Sequence, residues 1–167
     1  TVTTASDSGE GSLRQAIVQA NETAGADVIS FDSSLSGETI SLTSGQLEIT
    51  DALTINGLGS DELTIDAGGN SRVFNIDDGD SENEADVSLS DLTITGGGGA
   101  TQGSGGGLSN SENLTLTNST VSGNSVDFLG GGIFNSEGRV SISNSTVSGN
   151  SASSSGGCIY TVFTVGI

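Results

Sequence analysis

An eight-residue string occurs twice in the second half of this chain, and it constrains the fold more than any other feature. The string Asn-Ser-Thr-Val-Ser-Gly-Asn-Ser begins at Asn118 and returns unchanged at Asn144, 26 residues later. A triple-glycine segment precedes each copy, at residues 105–107 and 130–132, and Gly156 opens a third copy. Self-similarity at such a period is typical of repeat proteins, in which each repeat adds one unit to a stack.

The repeats alternate apolar and polar residues, and this alternation predicts short β-strands. Leu114 and Leu116 flank Thr115, and the segment 140–142 repeats the pattern. Alternation with a period of two places the apolar side chains on one face of a strand. The copies are also rich in Gly, Ser, Thr and Asn, which disfavour helix interiors. A coil of strands and turns, a β-solenoid, is therefore expected.

Stacked turns bring equivalent residues of successive copies into columns, which predicts amide ladders at the corners. Asn118 is expected to stack on Asn144 and on Asp91, and Asn124 on Asn150. This structural role accounts for the repeated asparagines better than a ligand site does.

One amphipathic helix is predicted near the N-terminus. Ser12 and Gln15 form a capping box, apolar residues follow at helical spacing from Leu13 to Ala20, and Gly25 supplies a stop. Such a helix can cover the open end of a solenoid. We expect a single domain made of a cap (1–27), degenerate turns (28–95) and regular turns (96–167), with about six turns in all.

The helix and the repeats together carry a family resemblance. Residues 11–17, Gly-Ser-Leu-Arg-Gln-Ala-Ile, with Ala20-Asn21, resemble the motif that opens many bacterial surface proteins with right-handed parallel β-helix repeats. The strings Gly-Gly-Gly-Ile-Phe-Asn and Asn-Ser-Thr-Val-Ser-Gly-Asn resemble their repeats and, more distantly, those of chlamydial polymorphic outer membrane proteins. The resemblance implies an all-β, right-handed parallel β-helix with an N-terminal α-helical cap, in a secreted or surface-displayed protein.

The charge of the chain excludes some classes of partner. The sequence has 21 acidic residues against three arginines and no lysine, a net charge of −18, which argues against nucleic acid and anionic membranes as partners. Residues 1–91 carry −16 of this charge and residues 92–167 carry −2. No apolar run is long enough to span a membrane.

The densest acidic run is a candidate calcium site. Asp78, Asp80, Glu82, Glu84 and Asp86 alternate along the chain, and calcium prefers several hard oxygen ligands. The run lacks the full EF-hand spacing, so a solvated loop is the competing interpretation. Calcium is the one cofactor that the sequence suggests.

Catalytic machinery is not expected. The parallel β-helix also hosts polysaccharide lyases and hydrolases, but this chain has no His or Lys, and Arg72 and Arg139 lie far apart in sequence. Paired carboxylates, Asp66 with Asp77 or Asp78, remain the less favoured hydrolase alternative.

The two ends of the chain are candidate surfaces for self-association. The C-terminal residues form an uncharged run in which Cys158 replaces a glycine of the repeat, and such strand edges invite pairing. Either the solenoid continues in a longer chain, or another copy covers the last strands. The candidates are Thr1, Val2, Thr3 and Thr4 at one end and Ile159, Tyr160, Val162, Phe163 and Val165 at the other.

These features favour a non-enzymatic extracellular or cell-surface structural protein that associates with itself, for example as a head-to-tail filament. The alternative is an adhesin-like or carbohydrate-binding module of a larger surface protein, with a surface polysaccharide as its partner.

Overall fold

The computed structural model describes residues 1–82, 84–99 and 103–162, which form a parallel β-solenoid of five turns behind one N-terminal helix. Helix α1 spans Leu13–Asn21, and a short 3-10 helix spans Ser33–Leu35. Each turn contributes one strand to each of three five-stranded parallel sheets. The prediction of an all-β solenoid with an N-terminal helix is confirmed.

The three sheets are named in the order in which the chain enters them. Sheet 1 contains β1 (Asp27–Ser30), β4 (Leu53–Asn56), β7 (Asp86–Ser90), β10 (Asn113–Thr117) and β14 (Val140–Ser143). Sheet 2 contains β2 (Glu38–Ser41), β5 (Leu63–Asp66), β8 (Thr93–Thr95), β11 (Thr120–Ser122) and β15 (Thr146–Ser148). Sheet 3 contains β3 (Leu47–Ile49), β6 (Phe74–Ile76), β9 (Leu108–Asn110), β13 (Ile133–Asn135) and β17 (Ile159–Thr161). The short strands β12 (Ser125–Val126) and β16 (Ser151–Ala152) pair at the corner between sheets 2 and 3.

The described residues form five turns, where the sequence predicted about six. Most turns have the expected length: Leu114 pairs with Val140, 26 residues later. The second turn is longer, because Leu53 pairs with Val87, 34 residues later. Most of the difference lies in residues 77–85, which connect β6 to β7 and include much of the acidic run.

Inward-facing aliphatic side chains fill the interior of the solenoid in columns. In sheet 1, Ile29, Ile55, Leu89 and Leu116 follow one another along the axis, and none is more than 4% exposed. Burying each such side chain stabilises the fold by about 1.5–3 kcal/mol before the entropic cost of ordering is subtracted. The alternation seen in the sequence is therefore the inside-outside alternation of the sheets.

The triple glycines are required because backbones touch where they stack. A Cβ atom on Gly106 would lie 2.6 Å from the carbonyl oxygen of Gly131, and one on Gly132 would lie 2.5 Å from that of Cys158. The first glycine of each triplet also has a positive φ, +71° at Gly105 and +63° at Gly130. Larger residues would push adjacent turns apart at this corner.

Candidate functional site

The N-terminal end of the solenoid is closed by helix α1. The Ser12 hydroxyl accepts a hydrogen bond from the Gln15 backbone N–H, at 3.2 Å, and the Gln15 side chain accepts one from the Gly11 N–H, at 2.9 Å. Leu13 and Ile17 are buried against the first turn. The predicted capping box is thus present, with its return bond one residue earlier than in the usual pattern.

Two polar side chains of α1 also satisfy the free edge of sheet 3. Arg14 donates to the carbonyl oxygens of Gly45 and Gln46, at 2.6 and 2.8 Å. The Asn21 side chain donates to the Glu48 carbonyl at 2.8 Å and accepts from the Thr50 N–H at 3.1 Å. These backbone groups would otherwise face outward from the first strand of the sheet. The Arg and Asn of the helix motif therefore act as edge caps, a role that the sequence did not reveal.

Asp7 holds Arg14 in this position. The carboxylate forms an ion pair with the Arg14 guanidinium at 2.6 Å and accepts a hydrogen bond from Thr43 at 3.0 Å. Partial burial acts to raise the pKa of Asp7, but hydrogen bonds from Ser44, Arg14 and Thr43 and the charge of Arg14 outweigh it and lower that pKa to about 2. The cap is thus locked by an ionised carboxylate at neutral pH.

The segment Thr1–Thr4, predicted as a strand for self-association, is already paired within its own chain. Val2 is fully buried and forms a parallel bridge with Phe31. Its N–H donates to the Ser30 carbonyl and its carbonyl accepts from the Asp32 N–H. Pairing of Val2 with another molecule through these groups would first require breaking both bonds.

The fifth turn, in contrast, leaves core positions open to solvent. Ile142 is 36% exposed, whereas Leu116, its partner one turn earlier, is fully buried. Ile159 is 40% exposed, whereas its partner Ile133 is fully buried. The same inward-facing positions therefore change from core to surface between the fourth and fifth turns.

The predicted C-terminal surface residues lie on or beside this open face. Ile159 and Tyr160 belong to β17, and Val162 is 41% exposed directly after it. The Tyr160 ring stacks on Phe134, with centroids 6.1 Å apart and planes 10° from parallel. Phe163 and Val165, also predicted to lie on this surface, fall outside the described residues.

Cys158 is an exposed free thiol on the same face, in the column of Gly107 and Gly132. At both glycines an added Cβ atom would lie within 2.6 Å of a carbonyl oxygen in the following turn. Cys158 therefore places a side chain at a position that glycine occupies in the two preceding turns.

Buried Asn124 and half-buried Asn150 form an amide ladder at the corner between sheets 2 and 3. The Asn124 Nδ2 donates to Asn150 Oδ1 at 2.9 Å and to the Ile94 carbonyl at 3.2 Å. Its Oδ1 accepts from the Gly97 N–H at 2.8 Å. This column ties three successive turns together, in the arrangement that the repeat predicts.

Asp91, Asn118 and Asn144 occupy the corner between sheets 1 and 2. They are the three non-glycine residues with positive φ in the described part of the chain, at +57°, +51° and +50°. Asn118 Nδ2 donates to Asp91 Oδ1 at 3.1 Å, and the Asn118 N–H donates to the Ser143 carbonyl, next to Asn144. Asx side chains suit this column because they tolerate the left-handed conformation.

A third ladder, which the sequence analysis missed, joins Asn110 and Asn135 at the corner between sheets 3 and 1. Both are buried, and Asn110 Nδ2 donates to Asn135 Oδ1 at 2.7 Å and to the Glu112 carbonyl at 2.6 Å. The sequence does contain a signal for this ladder, since Asn110 and Asn135 each end a Gly-Gly-Gly-x-x-Asn string.

The acidic loop is anchored by Glu112. The Glu112 carboxylate accepts from the backbone N–H groups of Asp78, at 2.9 Å, and Ala85, at 2.5 Å. Burial raises the pKa of Glu112, and the nearby charge of Asp78 raises it further. The two backbone hydrogen bonds lower this pKa, but it remains above its usual value. A cavity of about 180 Å³ beside it is lined by Asp77, Asp80 and Glu137 among others.

The carboxylates of the predicted calcium site are partly engaged by the backbone. Asp78 accepts from the Asp80 N–H at 2.7 Å, and Asp80 accepts from the Glu82 N–H at 3.0 Å. Within residues 1–82, 84–99 and 103–162, no group of three or more Asp, Glu, His or Cys residues is arranged to hold a metal ion. The calcium site stays a prediction, which calorimetry at millimolar calcium would test.

The residues considered for catalysis belong to different segments of the solenoid, and Asp66 and Arg72 have structural partners. Asp66 ends β5 and accepts from the Gly68 N–H, whereas Asp77 follows β6 at the next corner. The Arg72 guanidinium donates to the carbonyls of Ser104 and Gly105, at 2.6 and 2.9 Å, and burial lowers its pKa. Arg72 thus fastens the glycine-rich loop before β9.

The fold places the chain in the class of parallel β-solenoids. No family model, curated protein or solved structure matches it. Among the described residues, no helix has the length and apolar character needed to cross a membrane.

Proposed function

We propose that the chain is a non-enzymatic structural β-solenoid that acts outside the cell or on its surface and associates with itself through the open face of its fifth turn. The single observation that carries this proposal is the difference between its two ends. Arg14 and Asn21 close the N-terminal edge of sheet 3, whereas Ile142 and Ile159 leave the opposite end apolar and exposed. Exposed strand edges beside apolar surface are a template for pairing with another chain.

The N-terminal cap argues against a head-to-tail filament. Head-to-tail stacking would bring the open face of one copy against the α1 end of the next. There the carbonyls of Gly45, Gln46 and Glu48 already accept hydrogen bonds from side chains of α1. Two open faces can instead meet about a two-fold axis, which produces a closed pair. The charge distribution favours this arrangement, because residues 92–167 carry only −2 of the net charge of −18.

Sedimentation velocity over a range of concentrations tests the proposal. The unmodified chain is expected to form dimers, and Ile159→Lys is expected to reduce their formation at least tenfold, because it places a charge in the apolar contact. Val28→Lys is the matched control, because Val28 is 66% exposed but lies on the first turn. Its replacement should leave the proportion of dimer unchanged. A chain that stays monomeric at all concentrations would rule out self-association.

A carbohydrate-binding or adhesive role is the second candidate, and the Phe134–Tyr160 stack is the observation that favours it. Both rings are partly exposed on the outer face of sheet 3, and aromatic side chains commonly supply the apolar contacts of ligand sites. Binding to a glycan array that is lost in Tyr160→Ala and kept in Thr115→Ala, on sheet 1, would support this role.

A further inference from the structure

Five threonines form one column on the outer face of sheet 2. The parallel register pairs Thr39 with Thr64, Thr64 with Thr93, Thr93 with Thr120, and Thr120 with Thr146. Neighbouring strands lie about 4.7–4.9 Å apart, so the column extends for about 19 Å with one threonine per turn.

A second polar column runs parallel to the first, two residues further along each strand and about 6.7 Å away. It has a hydroxyl group in four of its five positions, and Asp66 occupies the remaining one. Its members are Ser41, Asp66, Thr95, Ser122 and Ser148. Together the two columns give sheet 2 a two-dimensional array of hydroxyl and methyl groups.

The general preference of strands for threonine does not explain this array. That preference applies equally to all three sheets. The corresponding outward column of sheet 3 contains no threonine and consists of Glu48, Asn75, Ser109, Phe134 and Tyr160. Sheet 1 has outward threonines at Thr54, Thr115 and Thr117, but among the described strands the unbroken threonine column lies on sheet 2.

Most hydroxyl groups of the threonine column are available for binding. On sheet 1, Thr117 bonds with Ser143 and Ser90 with Asn56, both at 3.3 Å. The other outward column of sheet 1 has no such bonds among the described residues, but it is a mixed row of Val28, Thr54, Ser88, Thr115 and Ser141. In the threonine column only Thr93 has a side-chain hydrogen bond among the described residues, to the Ser60 carbonyl at 2.5 Å. The other hydroxyls therefore remain available to solvent.

Charge is nearly absent from this face in a strongly acidic chain. Of 21 acidic residues, Asp66 alone falls in the two columns. A charged side chain would impose its own hydration shell, whereas rigid β-branched threonines hold their hydroxyls in fixed directions. An ordered array of this kind presets the positions of bound water and lowers the entropic cost of a multipoint contact.

We propose that the outer face of sheet 2 is an ice-binding surface. Its ligand is the ordered water lattice at the surface of an ice crystal, whose rows of oxygen atoms repeat at a spacing close to that of successive strands. The threonine and serine hydroxyls bind water in positions continuous with the lattice, and the threonine methyl groups lie between them. One hydroxyl contributes little against bulk water, so binding depends on the whole array.

Nanolitre osmometry and microscopy of growing ice crystals test the proposal on the full chain. The unmodified protein is expected to shape ice crystals and to give a freezing-point hysteresis that rises with concentration. Thr120→Tyr, at the fourth of the five positions in the column, is expected to reduce the hysteresis at least fivefold. Thr115→Tyr is the matched control on sheet 1 in the same turn, and its hysteresis should equal that of the unmodified protein.

Circular dichroism melts establish that each variant is folded, and Thr146→Tyr, on the exposed fifth turn, replaces Thr120→Tyr if that variant does not fold. Absence of hysteresis and ice shaping in the unmodified protein at millimolar concentration would overturn the proposal. Equal losses of hysteresis in the sheet 1 and sheet 2 variants would also overturn it. The same holds if the protein binds an insoluble polysaccharide through these threonines and has no effect on ice.

Discussion

Asn124 donates its side-chain N–H to the side-chain oxygen of Asn150, directly above it in the next turn, at 2.9 Å. The same Asn150 oxygen accepts from the Asn124 backbone N–H at 3.0 Å, and Asn150 in turn donates to the Val121 carbonyl at 2.9 Å. Each amide therefore bonds to its own copy and to the backbone of the adjoining turn. The repeat is maintained by contacts between equivalent residues, which explains why the two strings are identical.

Removal of this ladder should weaken the regular half of the solenoid. We expect Asn124→Ala to lower the free energy of unfolding by about 2–3 kcal/mol, because it leaves the buried Gly97 N–H and Ile94 carbonyl without their partner. Urea denaturation measures the change. Asn56→Ala, an exposed amide with one long bond to Ser90, should cost less than about 0.5 kcal/mol, and an equal loss in both variants would contradict the role of the ladder.

Stacking of the triple glycines predicts a strong response to one added methyl group. Gly132→Ala would place its Cβ 2.5 Å from the Cys158 carbonyl, and overpacking of this kind should cost about 2–3 kcal/mol. Gly103→Ala is the control, since a Cβ there meets nothing within 4 Å. Thermal melts of the two variants should differ by several degrees, and equal melting temperatures would show that the backbones can separate at little cost.

The ion pair of the cap predicts how stability depends on acid. The pKa of Asp7 is lowered to about 2 in the folded protein, so the folded state favours the ionised form. Its contribution, about 1–2 kcal/mol, is present above the unfolded pKa near 4 and is lost as the pH falls toward 2. The difference in urea stability between the unmodified chain and Asp7→Asn should therefore shrink between pH 5 and pH 2, and a constant difference would contradict the assignment.

Glu112 should control the order of the acidic loop. Glu112→Ala removes the acceptor of the Asp78 and Ala85 N–H groups, so residues 77–86 should become more sensitive to limited proteolysis, by about tenfold, with cleavage mapped by mass spectrometry. Glu137→Ala, in the same cavity, is the control. Equal cleavage in both variants would show that Glu112 does not anchor the loop.

Much of the fold could be predicted from the sequence because the repeats align every inward residue with its equivalents. Alternation identified Leu114 and Leu116 as core, and the capping box located α1. The number of turns could not be predicted, because residues 77–85 lengthen one turn without any change in strand pattern. The roles of Arg14 and Asn21 could not be predicted either, since their partners lie 27–32 residues away, on a sheet edge that exists only after folding.

The sequence by itself determined the solenoid, its N-terminal helix and the columns of repeated asparagines, because local alternation and a constant period define which residues stack. The tertiary structure alone decided which outward residues share a face and which hydroxyls are free. Thr117 and Thr120 are three residues apart in one repeat, yet Thr117 shares a hydrogen bond with Ser143 on sheet 1, while Thr120 joins the threonine column of sheet 2. The corner at Asn118 turns the chain between them, and the properties of each face follow from the register of all five turns.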